Sequence, residues 1–292
     1  MSSLLAAAGP RRDLRFRELL FRASLYASVA VGVAALIALI VQVVAKGWPE
    51  LGWGIVSSFP SSLPSKAGAQ SAIWGTIWLI GIVAVTTLPL GLGAAIYLEE
   101  YADRDRWWNR AIEINIQNLA AVPSIVYGIL GLAFFVRGPF GQGQVVLAGG
   151  LTLSLLVLPI VIISAREAIR AVPRSIREGS LALGATKLQT IGRQVLPAAI
   201  PGIATGSILA LSRAIGEAAP LVLLGALTFV TFNPDGLDSQ FTALPIQIFN
   251  WISRPQEDFK VLAAAAIVVL LAILLAMNAT AIYVRNRYER KW

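Results

Sequence analysis

Apolar residues in this chain are grouped into long blocks that exclude charge, rather than alternating with polar residues. Six blocks of at least 20 residues can be marked, and only one of them contains any charged residue. They cover residues 25–45, 67–98, 114–136, 138–165, 198–232 and 261–284. A helix of about 20 residues crosses the roughly 30 Å hydrocarbon core of a bilayer. The pattern therefore predicts an all-α membrane protein with six transmembrane helices.

The predicted spans form one transmembrane domain, residues 1–292, without a separate soluble domain. We place the spans at about residues 22–45, 72–98, 111–136, 145–165, 198–229 and 260–284. A β-barrel is disfavoured because its strands need about ten residues of apolar and polar alternation. The first span is longer than the core of a signal peptide and lacks an obvious cleavage site, so we expect it to be retained.

Composition supports a bilayer location and argues against catalysis. Hydrophobic residues make up 57% of the chain and charged residues only 14%, with a mean hydropathy of +0.71. A soluble domain usually carries about 25% charged residues. The sequence has no cysteine and no histidine, which removes thiolate and imidazole metal ligands and the usual near-neutral general base. We expect neither an enzyme active site nor a cofactor in this chain.

The charged pair Arg213 and Glu217 lies inside the fifth apolar block, which has no other charged residue. Each charge at the centre of a bilayer costs about 2.5 kcal/mol or more. On a helix, residues four apart share one face, so the pair could neutralise itself as a structural ion pair. Intramembrane charges more often mark the pathway of a polar solute. We favour the pathway interpretation and keep the structural ion pair as its alternative.

Weaker pathway candidates lie in the third predicted span. Asn118, Ser124 and Tyr127 could line a pore there, although such residues more often make interhelical hydrogen bonds worth about 1 kcal/mol. We predict helix kinks at four prolines, which are Pro123, Pro159, Pro201 and Pro220.

Basic residues are placed between the spans with a strong bias to one side. If both termini lie in the cytoplasm, that side holds 18 of the 24 Lys and Arg residues and the outer side holds five, with Arg213 left inside the membrane. This distribution follows the positive-inside rule. A nucleic-acid partner would explain the excess of charge but not its periodic placement, so none is expected.

The cytoplasmic segment between the fourth and fifth spans is neither a span nor disordered. Charges recur every few residues from position 167 to 195, while apolar residues recur at helical spacing. We predict two short amphipathic helices joined at Gly184, Ala185 and Thr186. They could lie in the lipid headgroups or dock onto a cytoplasmic protein, and spacing alone does not separate these two interpretations. On the outer side, residues 243–251 are predicted to form a short helix.

Four residues in and just after this segment match the sequence pattern of a known family. Glu178, Gly184, Leu196 and Pro197 fall on the defining positions of the EAA loop of ABC importer permeases. Gly179 and Ser180 replace the two alanines of the pattern, and Gln194 occupies an apolar position. The resemblance implies a type I (MetI-like) permease fold. It also implies that residues 167–197, including Ala185 and Thr186 in the turn, couple the membrane helices to an ATPase subunit.

Within that family the sequence resembles the permeases of phosphate importers. It resembles their A-type subunit more than the C-type partner subunit. The matching stretches are residues 95–101, 118–128, 177–191 and 209–220. The resemblance implies transport of phosphate through a bacterial plasma (inner) membrane. The implied partners are a second permease, a dimeric ATPase that holds ATP and Mg, and an external phosphate-binding protein. No GxxxxGK[ST] motif occurs, so the ATPase would be a separate chain.

The resemblance suggests a role for the intramembrane pair. A guanidinium matches the oxygens of phosphate, and we hypothesise that Arg213 exchanges partners between Glu217 and phosphate. Gly202 and Gly206 form a small-xxx-small pair that we expect to pack against the second permease.

Three alternatives stay open. The chain could import another oxyanion, such as molybdate or sulfate. It could be a secondary transporter or channel that works without ATP, which predicts inverted repeats and no docking loop. It could also be a membrane scaffold without transport, which would leave Arg213 and Glu217 unexplained.

Overall fold

The computed structural model describes residues 11–103, 105–138, 141, 143–226 and 229–288. In that part of the chain the regular structure is helical, apart from a single bridge between Val145 and Gln240. The α-helices are α1 (Arg11–Gly47), α2 (Trp53–Ser57), α3 (Gln70–Ile96), α4 (Trp107–Ala120), α5 (Ser124–Gly131), α6 (Val146–Arg170), α7 (Arg174–Ala182), α8 (Lys187–Thr190), α9 (Leu196–Gly216), α10 (Ala219–Leu224), α11 (Leu244–Ile252) and α12 (Glu257–Tyr288).

Five continuous helical stretches in the described residues are long and apolar enough to cross a membrane. They are Arg17–Glu50, Gln70–Tyr101, Val146–Arg170, Lys187–Gly216 and Glu257–Arg287. The bent pair α4 and α5 provides a sixth crossing if it is counted as one span. Turns of π-helix extend α3 to Tyr101 and join α8 to α9. The predicted all-α membrane fold with six spans is confirmed.

The third span, predicted at about residues 111–136, is a sharply bent pair of helices, and the kink predicted at Pro123 is confirmed. The axes of α4 and α5 meet at 102°. Pro123 causes the bend because it has no backbone N–H and disfavours the α conformation at the residue before it. The Tyr127 hydroxyl holds the bend by donating to the carbonyl oxygen of Leu119 at 2.7 Å.

The fifth span differs in its bounds from the predicted residues 198–229, and near Pro220, where a kink was predicted, the helix is broken. The helix begins earlier, at Lys187, and ends at Gly216. Glu217 follows with extended backbone angles (φ −81°, ψ 112°), and α10 then starts with Pro220 in its first turn. A proline clashes with the carbonyl four residues before it in a continuous helix, which is Gly216 here. Proline chemistry therefore breaks the span beside the charged pair.

Close packing of α6 against α3 and α9 forms the centre of the fold. Small residues allow it: a Cβ added to Gly150 would lie 2.6 Å from Ile82 on α3. A Cβ at Gly206 would lie 2.2 Å from Ser164, and one at Gly202 would lie 2.7 Å from the Ala168 side chain. The close helix packing expected at Gly202 and Gly206 is present. Their contact is with α6 of the same chain.

The predicted helix in the last outer loop is present as α11, and it is buried within the protein. Leu244, Ile246 and Trp251 are fully buried, and α11 packs against α3 and α12. Its first N–H, on Leu244, donates to the Thr76 hydroxyl at 2.9 Å. This loop thus folds back onto the outer half of α3.

By contrast, α1 lies at the periphery. Its apolar window is not buried by the rest of the chain. It meets α12 at Gly47, where a Cβ would lie 2.6 Å from the Ala265 backbone nitrogen. The exposed leucines and valines of α1 therefore remain available to lipid or to another subunit.

Candidate functional site

The charged pair of the fifth span lies at the break between α9 and α10. Arg213 is in the last turn of α9, and its Nε donates to Glu217 Oε1 at 3.2 Å. Glu217 stands just beyond the helix end, so the expectation that both residues share one helical face is wrong. The ion pair itself is present, and the carboxylate makes it from an extended backbone segment.

The position of Arg213 stabilises its own charge, and its exposure leaves it accessible to an anion. The carboxyl end of a helix carries unpaired carbonyls and the negative end of its dipole, which stabilise a cation there. The Arg213 side chain is 43% exposed, whereas that of Glu217 is 19% exposed. Within the described residues, the bond to Glu217 is the only hydrogen bond of this guanidinium. Its remaining N–H donors can reach an oxyanion.

The bend of the third span is packed against this break. A Cβ added to Gly128 would lie 2.7 Å from Pro220 Cα, so α5 and α10 touch at the backbone. Tyr127 is buried and lies close enough to Arg213 to interact electrostatically. The fold therefore brings together Tyr127 and the charged pair. Since the hydroxyl proton of Tyr127 is donated to Leu119, this residue shapes the bend beside Arg213.

The other two candidates of the third span are placed differently. Asn118 is exposed on α4, and Ser124 is half-buried in the first turn of α5. In the described part of the chain, no hydrogen bond joins either side chain to Arg213 or Glu217. Their assignment to a pathway therefore stays a prediction.

One polar contact beside Arg213 was missed by the sequence reasoning. Ser212 Oγ donates to Asn278 Oδ1 of α12 at 2.8 Å. This bond ties the end of α9 to the last span one residue before Arg213. The signal was present in the sequence, because Asn278 is a lone amide in an apolar block.

The cytoplasmic segment folds as two short helices joined by a tight turn at residues 183–186, as its spacing predicts. Gly184 has φ +83°, a left-handed conformation that side chains with a Cβ disfavour. Thr186 then caps α8 in a capping box with Gln189. The hydroxyls of Ser180 and Thr190 lie 2.9 Å apart and join α7 to the last residue of α8.

The segment presents an apolar surface beside a groove of about 440 Å³. Leu183 is 91% exposed and Leu188 is 71% exposed. Of the six residues assigned to coupling by the resemblance, Glu178, Gly184 and Thr186 are exposed, whereas Ala185, Leu196 and Pro197 are half-buried. Two large leucines held outward by a capped turn form a suitable contact for a partner protein.

An ion pair anchors this segment to the membrane helices. Arg177 of α7 donates its Nε and Nη2 to Glu100 Oε1 at 3.0 and 2.9 Å. The same guanidinium donates to the carbonyls of Val172 and Ile169 at 2.6 and 2.8 Å. One side chain thereby joins α7 to the ends of α3 and α6. Sequence reasoning had noted Glu100 only as part of a matching stretch, although two glutamates after an apolar block are a visible signal.

A second set of ion pairs lies beside the first. Arg166 Nη2 is 3.0 Å from Glu113 Oε1 and 3.7 Å from Glu99 Oε2. Arg170 Nη2 is 3.0 Å from the same oxygen of Glu99. These contacts connect the carboxyl ends of α3 and α6 to the middle of α4, and none of the four residues was singled out from the sequence.

The described ranges show no cluster of potential metal ligands. They contain no group of three or more His, Cys, Asp or Glu residues that could hold a metal ion. The site is thus a set of guanidinium and carboxylate pairs on helices that break or end.

Comparison with known proteins identifies the class. A family model described as the inner membrane component of binding-protein-dependent transport systems matches residues 87–288. The chain belongs to this family. Among curated relatives, a phosphate transport system permease protein PstA 1 from Mycobacterium tuberculosis (strain CDC 1551 / Oshkosh) is 32% identical over 298 residues, covering 97% of this chain and 96% of the relative. A phosphate transport system permease protein PstA from Haemophilus influenzae is 29% identical, covering 91% and 92%.

Solved structures show the same fold at low identity. A chain of a bacterial alginate ABC transporter, in complex with an alginate pentasaccharide-bound periplasmic protein, aligns with a TM-score of 0.69 and 15% identity, covering 94% of this chain and 96% of that chain. A chain of the MetNI methionine ABC transporter aligns with a TM-score of 0.60 and 17% identity, covering 75% and 95%. The predicted type I (MetI-like) permease fold is confirmed.

Proposed function

We propose that this chain is the transmembrane permease subunit of an ATP-driven importer of inorganic phosphate. The observation that carries the proposal is Arg213 at the broken end of α9, held by Glu217 and with its other donors unused within the described residues. The names of the relatives from Mycobacterium tuberculosis and Haemophilus influenzae support phosphate as the solute.

The chemistry follows from competition between two anions for one guanidinium. Phosphate offers oxygens that match the planar donors of arginine. In the empty state Glu217 neutralises Arg213 and lowers the free energy of a charge inside the membrane. Arriving phosphate takes over the guanidinium, and Glu217 reclaims it on release. The exchange keeps binding weak enough for phosphate to leave.

The break between α9 and α10 gives this exchange a moving part. A continuous helix would fix Glu217 relative to Arg213, whereas the extended residue allows the carboxylate to turn without unwinding α9. The bend of α5 packs against α10, so a shift of α10 reaches the third span. A second permease would complete the pathway on the exposed side of Arg213.

The cytoplasmic segment is proposed to receive the motion of a separate ATPase dimer. Its outward leucines would contact the ATPase, and Arg177 would pass the displacement to α3 and α6 through Glu100 and the carbonyls of Ile169 and Val172. In this proposal both termini lie on the cytoplasmic side of a bacterial plasma membrane, in agreement with the charge bias. An external phosphate-binding protein would deliver phosphate to the outer loops.

Reconstitution tests the proposal. The chain would be co-expressed with its second permease and ATPase, purified as a complex, and placed in liposomes with the external binding protein. We expect uptake of ³²P-phosphate that requires ATP and resists a large excess of molybdate or sulfate. Uptake blocked by those oxyanions would assign a different solute. A chain that never co-purifies with an ATPase would contradict the permease assignment.

A further inference from the structure

A cavity of about 430 Å³ lies between the cytoplasmic ends of α3, α4 and α6, apart from the proposed pathway. Its polar lining consists of Asn109, Arg110, Glu113, Arg166 and Arg170. It opens on the side where the positive-inside distribution places the cytoplasm. The proposed exchange of Arg213 and Glu217 makes no use of it.

The lining is positively charged. Three guanidiniums face one carboxylate, that of Glu113. Glu99 lies behind the lining and contacts two of these arginines, and Arg170 also pairs with Glu167. Arg110 is exposed and has no ion-pair partner among the described residues. The cavity therefore holds one guanidinium without a neutralising carboxylate.

Two buried polar atoms of the residues lining this cavity have no hydrogen-bond partner within the described part of the chain. Arg166 and Asn109 are each 6% exposed. The Nε donor of Arg166 and the Oδ1 acceptor of Asn109 are both unsatisfied. Buried polar atoms are nearly always paired in folded proteins. An oxyanion held in this cavity would bring acceptor oxygens close to the guanidinium of Arg166.

The backbone supports the same ligand class. Asn109 and Arg110 lie in the first turn of α4, a helix of 14 residues. The amino end of a helix favours phosphate because its N–H groups and dipole are positive there. Trp107 and Trp108 come just before the lining residue Asn109 in the chain. Both are exposed, as is common for tryptophans at the headgroup boundary of a membrane.

We propose that this cavity binds a phosphoryl group at the cytoplasmic surface. The group could arrive as free phosphate that has crossed the membrane or as the headgroup of an anionic lipid, since both present the same oxygens. Its cytoplasmic placement rests on the proposed function. Occupancy would compete with Glu99 and Glu113 for Arg166 and Arg170, close to the ion pair that anchors the coupling segment.

Arg110→Gln tests the site, because it removes a guanidinium that has no partner to disrupt. Arg106→Gln is the matched control: it lies one turn away, contacts Asp103 and the Trp108 ring, and does not line the cavity. Both variants would be purified in the assembled transporter, with co-purification of the ATPase as the check on folding. One arm measures ³²P-phosphate binding by equilibrium dialysis without lipid. The other counts phosphatidylglycerol adducts by native mass spectrometry, with phosphatidylcholine as the neutral comparison.

We expect Arg110→Gln to weaken one of these two interactions at least tenfold, while Arg106→Gln leaves both near wild type. Loss in the dialysis arm identifies free phosphate, loss in the lipid arm identifies a headgroup, and loss in both supports the shared chemistry. Equal binding by wild type and Arg110→Gln in both arms would overturn the proposal. Absence of uptake by a wild-type transporter whose cavity binds normally would instead count against the proposed transport function.

Discussion

The guanidinium of Arg177 and the carboxylate of Glu100 are joined by two hydrogen bonds of 3.0 and 2.9 Å to a single oxygen. The side chains are 20% and 9% exposed. Arg177 also donates to two carbonyls near the end of α6. Helix α7 is therefore fixed to two membrane helices by one side chain.

Breaking the ion pair of Arg177 and Glu100 is predicted to uncouple ATP hydrolysis from phosphate uptake. Glu100→Gln leaves the buried Arg177 without its counter-charge, and removing one partner of a buried pair destabilises by about 3–5 kcal/mol at most. We expect ATP hydrolysis to persist in the assembled complex while phosphate taken up per ATP falls several-fold. Parallel assays of uptake and ATPase rate in the same liposomes measure this ratio.

A matched control is available in the exposed pair of Asp103 and Arg106, whose atoms lie 3.3 Å apart. Exposed pairs contribute about 0–1 kcal/mol, so Asp103→Asn should leave the ratio unchanged. An unchanged ratio in Glu100→Gln as well would show that the ion pair does not transmit motion.

The turn of the coupling segment gives a second prediction. Gly184 has φ +83°, and an L-residue there costs about 1–2 kcal/mol. Gly184→Ala should tilt α7 away from its place over α8 and lower the recovery of the ATPase in co-purification. Gly179 is the comparison site, because a Cβ there meets nothing within 4 Å and the residue lies inside α7.

Gly179→Ala should be neutral or stabilising by up to about 1 kcal/mol, since alanine favours a helix. It also restores the alanine that the EAA pattern has at this position. If the two alanine variants behaved alike, the turn geometry would not govern docking.

A third prediction concerns the outer loop that folds back onto α3. A Cβ at Gly75 would lie 1.9 Å from the carbonyl oxygen of Thr242, and a backbone atom cannot move aside cheaply. Overpacking typically costs about 1–3 kcal/mol, so Gly75→Ala should lower the melting temperature of the purified complex. Gly81→Ala on the same helix has open space and should not. A similar melting temperature for both variants would show that the loop around Thr242 does not pack against Gly75.

The number and order of spans could be predicted because long charge-free blocks have few alternatives to membrane helices. Thr186 and Gln189 likewise carry a local capping signal. The break at Glu217 could not be located from apolarity, because it depends on the clash between Pro220 and a single carbonyl. Pro123 does mark the position of its bend, but the angle of 102° is not contained in any local pattern.

Only part of the candidate site could be predicted from the sequence, for a related reason. Arg213 and Glu217 are conspicuous because they are the only charges in their block. The pairs of Arg177 with Glu100, and of Arg166 with Glu113, join residues 77 and 53 positions apart. Such pairing depends on how α3, α4 and α6 pack, which no local pattern reveals.

The most direct test of the central claim is phosphate uptake by Arg213→Lys and Glu217→Gln in transporters that assemble normally. Lysine keeps the charge but loses the planar donors, and hydrogen bonds to charged groups are worth about 1.5–3 kcal/mol. We therefore predict that Arg213→Lys lowers uptake about tenfold or more, and that Glu217→Gln slows it by retaining phosphate. Arg22→Lys and Glu18→Gln, in an exposed pair of the same spacing, should transport normally. Wild-type uptake by both site variants would contradict the account.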